Sequence, residues 1–179
     1  ETTSPKMGSL FTEQIKHFKI FLLLPAMTVK TKLLFIIPFF LPLSSIAQNT
    51  FLIDSLEKEL KKAVIDTSKL LLLDDLVWEN LYSDITKSEK YSTEALKVSS
   101  TITNKKYSAR AHHNIATVFL QKNQNDSAVY HFKRAIDIYH SIGMHEKSAG
   151  SYNGIGNAYL YQGIFEKSLE NYLKSIRLL

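Results

Sequence analysis

Residues 152–176 read YNGIGNAYLYQGIFEKSLENYLKSI. Residues 112–136, HHNIATVFLQKNQNDSAVYHFKRAI, carry the same pattern of small and large side chains 40 positions earlier. Apolar residues recur at every third or fourth position in both stretches, which predicts amphipathic helices. Self-similarity at such a period predicts an array of helix pairs that stack on one another and share a continuous core.

The small and aromatic residues at matching positions are the predicted contacts between paired helices. A small residue lets two antiparallel helices approach closely, and a ring fills the space beside it. The period extends back to Ala95, which lies 40 residues before Ala135. The predicted repeat-packing residues are Ala95, Ala116, Phe119, Ala128, Phe132, Ala135, Gly156, Tyr159, Ser168, Tyr172 and Ser175.

This small–aromatic–small pattern resembles the signature of tetratricopeptide repeats. The residues 152–176 and 112–136 resemble two good copies, and 70–97 resemble a weaker third. In the third copy Leu76 stands where a small residue belongs and Glu79 where an aromatic one belongs, so its register is open by about one residue. The resemblance implies an all-α fold, a right-handed α-solenoid of antiparallel helix pairs. Its predicted parts are a leading helix at 48–66 and repeats at about 67–103, 104–143 and 144–179.

Composition agrees with a helical body and excludes several classes of protein. All four prolines lie within the first 42 of the 179 residues, so the remainder lacks the residue that most disrupts helices. The absence of cysteine excludes disulfide scaffolds and thiolate metal sites. The net charge is +5, but residues 1–47 hold five lysines against two glutamates, which leaves +2 for the rest. A nearly neutral helical body predicts no nucleic-acid partner.

The amino-terminal segment has the layout of a secretory signal peptide. Residues 27–47, MTVKTKLLFIIPFFLPLSSIA, place two lysines before an apolar run and small residues after it. We predict cleavage between Ala47 and Gln48 and export to the periplasm of a Gram-negative bacterium. An uncleaved membrane anchor that includes Phe18 to Pro25 is the alternative. Because Met27 directly precedes this layout, residues 1–26 are interpreted as extra or misassigned upstream sequence.

The resemblance also implies where a partner would bind, because members of this superfamily use the concave face made by the first helix of each pair. Asparagines and a cation at helical spacing can hydrogen-bond an extended peptide and one carboxylate. A solvated face without a dedicated ligand is the open alternative. The predicted groove residues are Arg110, His113, Asn114, Thr117, Gln121, Asn153, Asn157 and Tyr161.

No catalytic, metal or cofactor motif stands out. The adjacent His112 and His113 point about 100° apart on a helix, so they do not predict a shared metal. Asp74 and Asp75, with Glu79, are more simply the polar stripe of an amphipathic helix than paired catalytic carboxylates. We therefore predict no enzyme activity for this stretch, no cofactor and no metal, with an enzyme acting through the Asp74–Asp75 region as the lesser alternative.

The combined prediction is a protein- or peptide-binding scaffold. It resembles the exported repeat region of bacterial signalling proteins of the histidine kinase or helix-turn-helix type, and a free-standing soluble periplasmic adaptor or assembly factor is the alternative. Residues 175–179, SIRLL, end on apolar side chains where a solenoid normally has a polar cap. We therefore expect more chain beyond Leu179, such as further repeats, a membrane tether or a kinase domain, and self-association through this uncapped end.

Overall fold

The computed structural model describes residues 50–64 and 66–179. Residues Thr50–Leu179 form one compact unit. The predicted signal segment at 27–47, its cleavage junction and the upstream residues 1–26 lie outside the described residues, so these assignments stay predictions.

The described chain is a succession of helices without a strand, and this confirms the all-α, solenoid class of fold. A short 3-10 helix, His145–Ser148, precedes the sixth α-helix. The α-helices are α1 (50–60), α2 (Thr67–Asn80), α3 (Ile85–Ser99), α4 (Lys105–Gln121), α5 (Asn125–Ser141), α6 (Ala149–Tyr161) and α7 (Phe165–Ile176).

Short polar side chains cap the amino termini of three of these helices. The carboxylate of Asp66 accepts hydrogen bonds from the amides of Ser68 and Lys69, so it caps α2. Asp84 caps α3 in the same way, by accepting from the amide of Lys87 at 3.0 Å. Asn104 performs this role for α4.

Three residues with left-handed backbone follow the ends of helices. Asn123, Gly143 and Gly163 have φ angles of 57°, 73° and 74° and lie just after α4, α5 and α6. Glycine adopts this conformation without a steric penalty, and asparagine tolerates it. Asn123 and Gly163 lie 40 residues apart, so the same turn recurs in two successive repeats.

Consecutive helices pack on each other along the chain. The pairs α2–α3, α4–α5 and α6–α7 form the repeats, and α3–α4 and α5–α6 form the contacts between them. The first helices α2, α4 and α6 also contact one another in sequence. Within the described helices, the main contacts of each repeat are therefore with its neighbours, as expected for a solenoid.

The core is divided into clusters that follow the repeats. One cluster gathers apolar side chains of α1, α2 and α3, including Ile53, Leu73 and Tyr91, with Val118 from α4. A second surrounds Phe132 of α5 and includes Ala116 and Ile155 from the flanking first helices. Burial of apolar area within each cluster stabilises the contact between adjacent repeats.

The register of the first repeat differs by one residue from a strict period of 40. The hydroxyl of Ser168 donates to the carbonyl of Gly156 at 2.9 Å. In the first repeat, Ser88 makes the same bond at 2.8 Å, but to Val77 rather than to Leu76. Val77 therefore occupies the position of Gly156, which resolves the register that the sequence left open.

Candidate functional site

With the one-residue offset, α2, α4 and α6 carry equivalent stripes of side chains. Each stripe has spacings of three, four and four residues, so its members lie on one side of a helix, except for Tyr82, which follows the end of α2 at Asn80. We call these three stripes together the first-helix face. The stripes are Leu71, Asp74, Trp78 and Tyr82; Arg110, His113, Thr117 and Gln121; and Gly150, Asn153, Asn157 and Tyr161.

An ion pair between a buried carboxylate and a partly exposed arginine joins the first two stripes. Asp74 is only 3% exposed, and its Oδ2 lies 2.6 Å from Nε of Arg110. The amide of Asn114 donates to Oδ1 of the same carboxylate at 2.7 Å. Burial raises the pKa of Asp74 to about 6, against the opposing effects of Arg110 and Asn114. At pH 7 the carboxylate is therefore ionised and holds α2 against α4.

A histidine of the second stripe joins α4 to α6. Nδ1 of His113 lies 2.9 Å from the hydroxyl oxygen of Ser151, and its ring meets Phe132 edge-on. The hydroxyl of Thr117 donates to the carbonyl of His113 at 3.1 Å. Burial lowers the pKa of His113 to about 4, so the ring is neutral at pH 7. This contact holds α4 against α6.

Several of the predicted groove residues are thus engaged within the chain. Arg110 and Asn114 bind Asp74, and His113 bonds to Ser151. Asn157 accepts a hydrogen bond from the phenol of Tyr172 at 2.6 Å. Asn114 is fully buried, and the structure places it inside the α2–α4 contact rather than on the surface.

The accessible part of the first-helix face combines amides with aromatic rings. Gln121, Asn153 and Tyr161 are exposed on α4 and α6, and Thr117 is half-buried. Leu71 and Trp78 on α2 are 43% and 44% exposed, and Tyr82, two residues beyond the end of α2, is 82% exposed. Sequence reasoning missed these three residues, although their spacing of seven and four residues could have identified them once the register was known.

The predicted repeat-packing residues lie between helices or at the edges of the contacts. Phe119, Tyr159 and Tyr172 are half-buried. The buried members are Ala95, Ala116, Ala128, Phe132, Ala135, Gly156, Ser168 and Ser175.

The candidate catalytic and metal residues do not assemble a reactive site. Asp74 departs from the polar-stripe interpretation because it is buried and paired with Arg110, whereas Asp75 is exposed. His112 and His131 approach with their Nδ1 atoms 2.9 Å apart and stack beside Phe119. Within the part of the chain that the structure covers, no three histidines or carboxylates gather as metal ligands.

None of the helices in residues 50–64 and 66–179 combines the length and apolar character needed to cross a bilayer.

Comparisons with known proteins gave one family match and two similar solved structures. Residues 83–141 match the tetratricopeptide repeat family. The crystal structure of the tetratricopeptide repeat domain of Arabidopsis FLU is similar, with a TM-score of 0.58 and 14% identity, over 62% of this chain and 94% of that one. The crystal structure of MamA aligns with a TM-score of 0.41 and 16% identity, over 75% of this chain and 91% of that one.

No curated protein sequence matches the chain at a significant level. The likeness to the FLU domain concerns the fold alone. Residues 83–141 thus match tetratricopeptide repeats in sequence, and the helical array shares its fold with a tetratricopeptide repeat domain.

Proposed function

We propose that this chain is a protein- or peptide-binding scaffold and that the first-helix face is its binding surface. The observation that carries the proposal is the alignment of three equivalent stripes on helices that an ion pair and a hydrogen bond hold together. Asp74–Arg110 fixes α2 to α4, and His113–Ser151 fixes α4 to α6. A surface that is already ordered loses less conformational entropy on binding, so its contacts yield more affinity.

The chemistry of the exposed side chains suits an extended polypeptide. The side-chain amides of Gln121 and Asn153 each offer both a donor and an acceptor, as a peptide backbone requires. The phenol of Tyr161 adds apolar area and a polar tip. Tetratricopeptide domains are generally non-catalytic scaffolds, and the fold suggests a protein-interaction role here.

Selection from a displayed random-peptide library against the whole 179-residue chain tests this proposal. Selected peptides should bind at least about tenfold more weakly to a Gln121→Ala/Asn153→Ala/Tyr161→Ser variant, because central interface residues carry most of the binding energy. The matched control is Tyr130→Ser. Tyr130 is as exposed as Tyr161, but it lies on α5, the second helix of its pair and outside the first-helix face. Equal loss in both variants, or no selected peptide, contradicts the proposal.

We further propose that the repeats are the periplasmic sensor or interaction region of a bacterial signal-transduction protein. The three-zone layout of residues 27–47 and the resemblance to exported repeat regions support this location. Reading the gene beyond Leu179 and fractionating cells that express its product tests the proposal. A membrane span of about 20 residues followed by a cytoplasmic output domain is expected. A stop codon after a capping helix, with a soluble periplasmic product, indicates a free-standing adaptor instead.

A further inference from the structure

The last helix, α7, carries a stripe of exposed apolar side chains. Phe165, Leu169, Leu173 and Ile176 are 68%, 60%, 44% and 66% exposed. At about 100° per residue they lie within about 80° of one another around the helix, and no charged residue lies between them. We call these four residues the α7 stripe. A contiguous exposed apolar patch of this kind is typical of an interaction surface.

The stacking of repeats does not account for the whole α7 stripe. Lys133 and Ile136 on α5 precede Leu173 and Ile176 by 40 residues. Ile136 is buried in the cluster that includes Ile155 of α6, whereas Lys133 stays exposed beside that helix. A helix packed on α7 as α6 packs on α5 would therefore cover Ile176 and leave Leu173 exposed. A leucine where α5 has a lysine indicates a further contact at this position.

The charges that border the α7 stripe are separated along the helix. Glu166 lies in the first turn, and Arg177 follows the end of α7 with helical backbone angles, φ −69° and ψ −13°. Both lie within about 40° of Leu173 around the helix. Among the described residues neither has an ion-pair partner, whereas Glu170 and Lys174 pair with each other at 2.6 Å. The border thus has an unpaired acid at one end and an unpaired base at the other.

This pattern is complementary to itself when a second copy of α7 runs in the opposite direction. The α7 stripe and its two bordering charges are all centred close to Asn171. An antiparallel pair would therefore set the two stripes against each other along their length and bring Glu166 of each copy beside Arg177 of the other. Two-fold symmetry makes this contact twice. A parallel pair would place like charges together at both ends, which is unfavourable.

We propose that α7 forms an antiparallel two-fold interface with α7 of a second copy of this chain. Burial of the two apolar stripes supplies the affinity, and the reciprocal contacts of Glu166 with Arg177 select the antiparallel direction. The inference does not depend on the proposed function, because α7 is a second helix and lies outside the first-helix face.

Sedimentation velocity of the whole 179-residue chain, over a wide range of concentrations, tests this interface. Low ionic strength is used because salt screens exposed charges. The unmodified chain should form dimers. Glu166→Arg and Arg177→Glu should each weaken dimerisation at least about tenfold, because either change places like charges together twice. The double variant Glu166→Arg/Arg177→Glu should restore dimerisation, because the same pairs form again with their charges exchanged.

Asp137→Arg is the matched control. Asp137 is exposed on α5, at the position equivalent to Arg177, and its replacement changes the charge as Glu166→Arg does. This variant should dimerise like the unmodified chain. All the variants keep the apolar run at 33–43, so differences among them report on the substituted positions. Circular dichroism checks that each variant keeps its helices.

Several results would overturn the proposal. One is a chain that stays monomeric at every concentration. Another is a series of oligomers larger than a dimer, which a head-to-tail contact would build. Single variants that dimerise as well as the unmodified chain would show that these charges do not border the interface. A double variant that stays as weak as the single variants would show that Glu166 and Arg177 do not meet.

Discussion

Replacing Gly154 by alanine should destabilise the array, because this glycine leaves room for a buried ring. A Cβ atom added at Gly154 would lie 2.7 Å from Cε1 of Phe132, and two further atoms of the ring would be closer still. Carbon atoms normally stay about 3.5–4.0 Å apart, so the ring or the helix has to move by about 1 Å. Phe132 is 1% exposed and also contacts His113, which leaves the ring little space to move into.

The expected size follows from two opposing effects. Overpacking of a well-packed core costs about 1–3 kcal/mol, and the rigid ring places Gly154→Ala in the upper half of that range. The higher helix propensity of alanine returns up to about 1 kcal/mol. We therefore expect the free energy of unfolding to fall by about 1–2 kcal/mol. Urea denaturation followed by circular dichroism at 222 nm measures this change.

Gly150→Ala is the matched control on the same helix. A Cβ atom there would lie 3.4 Å from the ring of His113, close to an ordinary contact, so the stability should stay equal or rise. In a double-mutant cycle, Phe132→Leu should relieve part of the cost of Gly154→Ala, because it removes the ring atoms that overlap the new methyl group. Equal or greater stability of Gly154→Ala relative to the unmodified protein would refute the reasoning.

Three further predictions concern charge, protons and association. Arg110→Ala should lower the free energy of unfolding by about 2 kcal/mol at pH 7, because the buried Asp74 loses its charged partner and has to take up a proton; the loss should be smaller at pH 5, below the Asp74 pKa of about 6, and equal losses at both pH values in urea denaturation would contradict this. The neutral His113 should make the fold less stable as the pH falls from 6.5 towards 4, because the unfolded chain then binds more protons. Asp74 opposes this trend since its pKa is raised, so Asp74→Asn should steepen the acid loss measured by thermal unfolding across that range. The exposed apolar residues Leu169 and Ile176 of α7 should promote self-association, which Leu169→Lys/Ile176→Lys should reduce; light scattering that shows a monomer for the unmodified chain at high concentration contradicts this.

Much of the fold could be predicted because its determinants are local. Apolar residues at helical spacing, the lack of proline after Pro42 and the 40-residue period indicate paired helices without any knowledge of distant contacts. The left-handed turns at Gly143 and Gly163 were equally readable, since glycine favours that conformation.

The candidate site was only partly predictable, and the reason lies in the first repeat. The run Leu70 to Leu73 presents apolar side chains in every direction around α2, so its sequence pattern does not say which side is buried. Packing against α1 and α3 buries Leu70 and Leu73 and leaves Leu71 exposed. That choice sets the one-residue offset and places Trp78 on the first-helix face.

The sequence by itself determined the helices, their pairing and the stripes on α4 and α6, since all of these follow from spacing along the chain. Only the tertiary structure decided which polar residues remain accessible. Arg110 had the spacing of a ligand-binding cation, yet its carboxylate partner Asp74 lies 36 residues away on another helix. His113 likewise bonds to Ser151, 38 residues further on. Such partners are brought together by the packing of whole helices, a long-range result that no local pattern encodes.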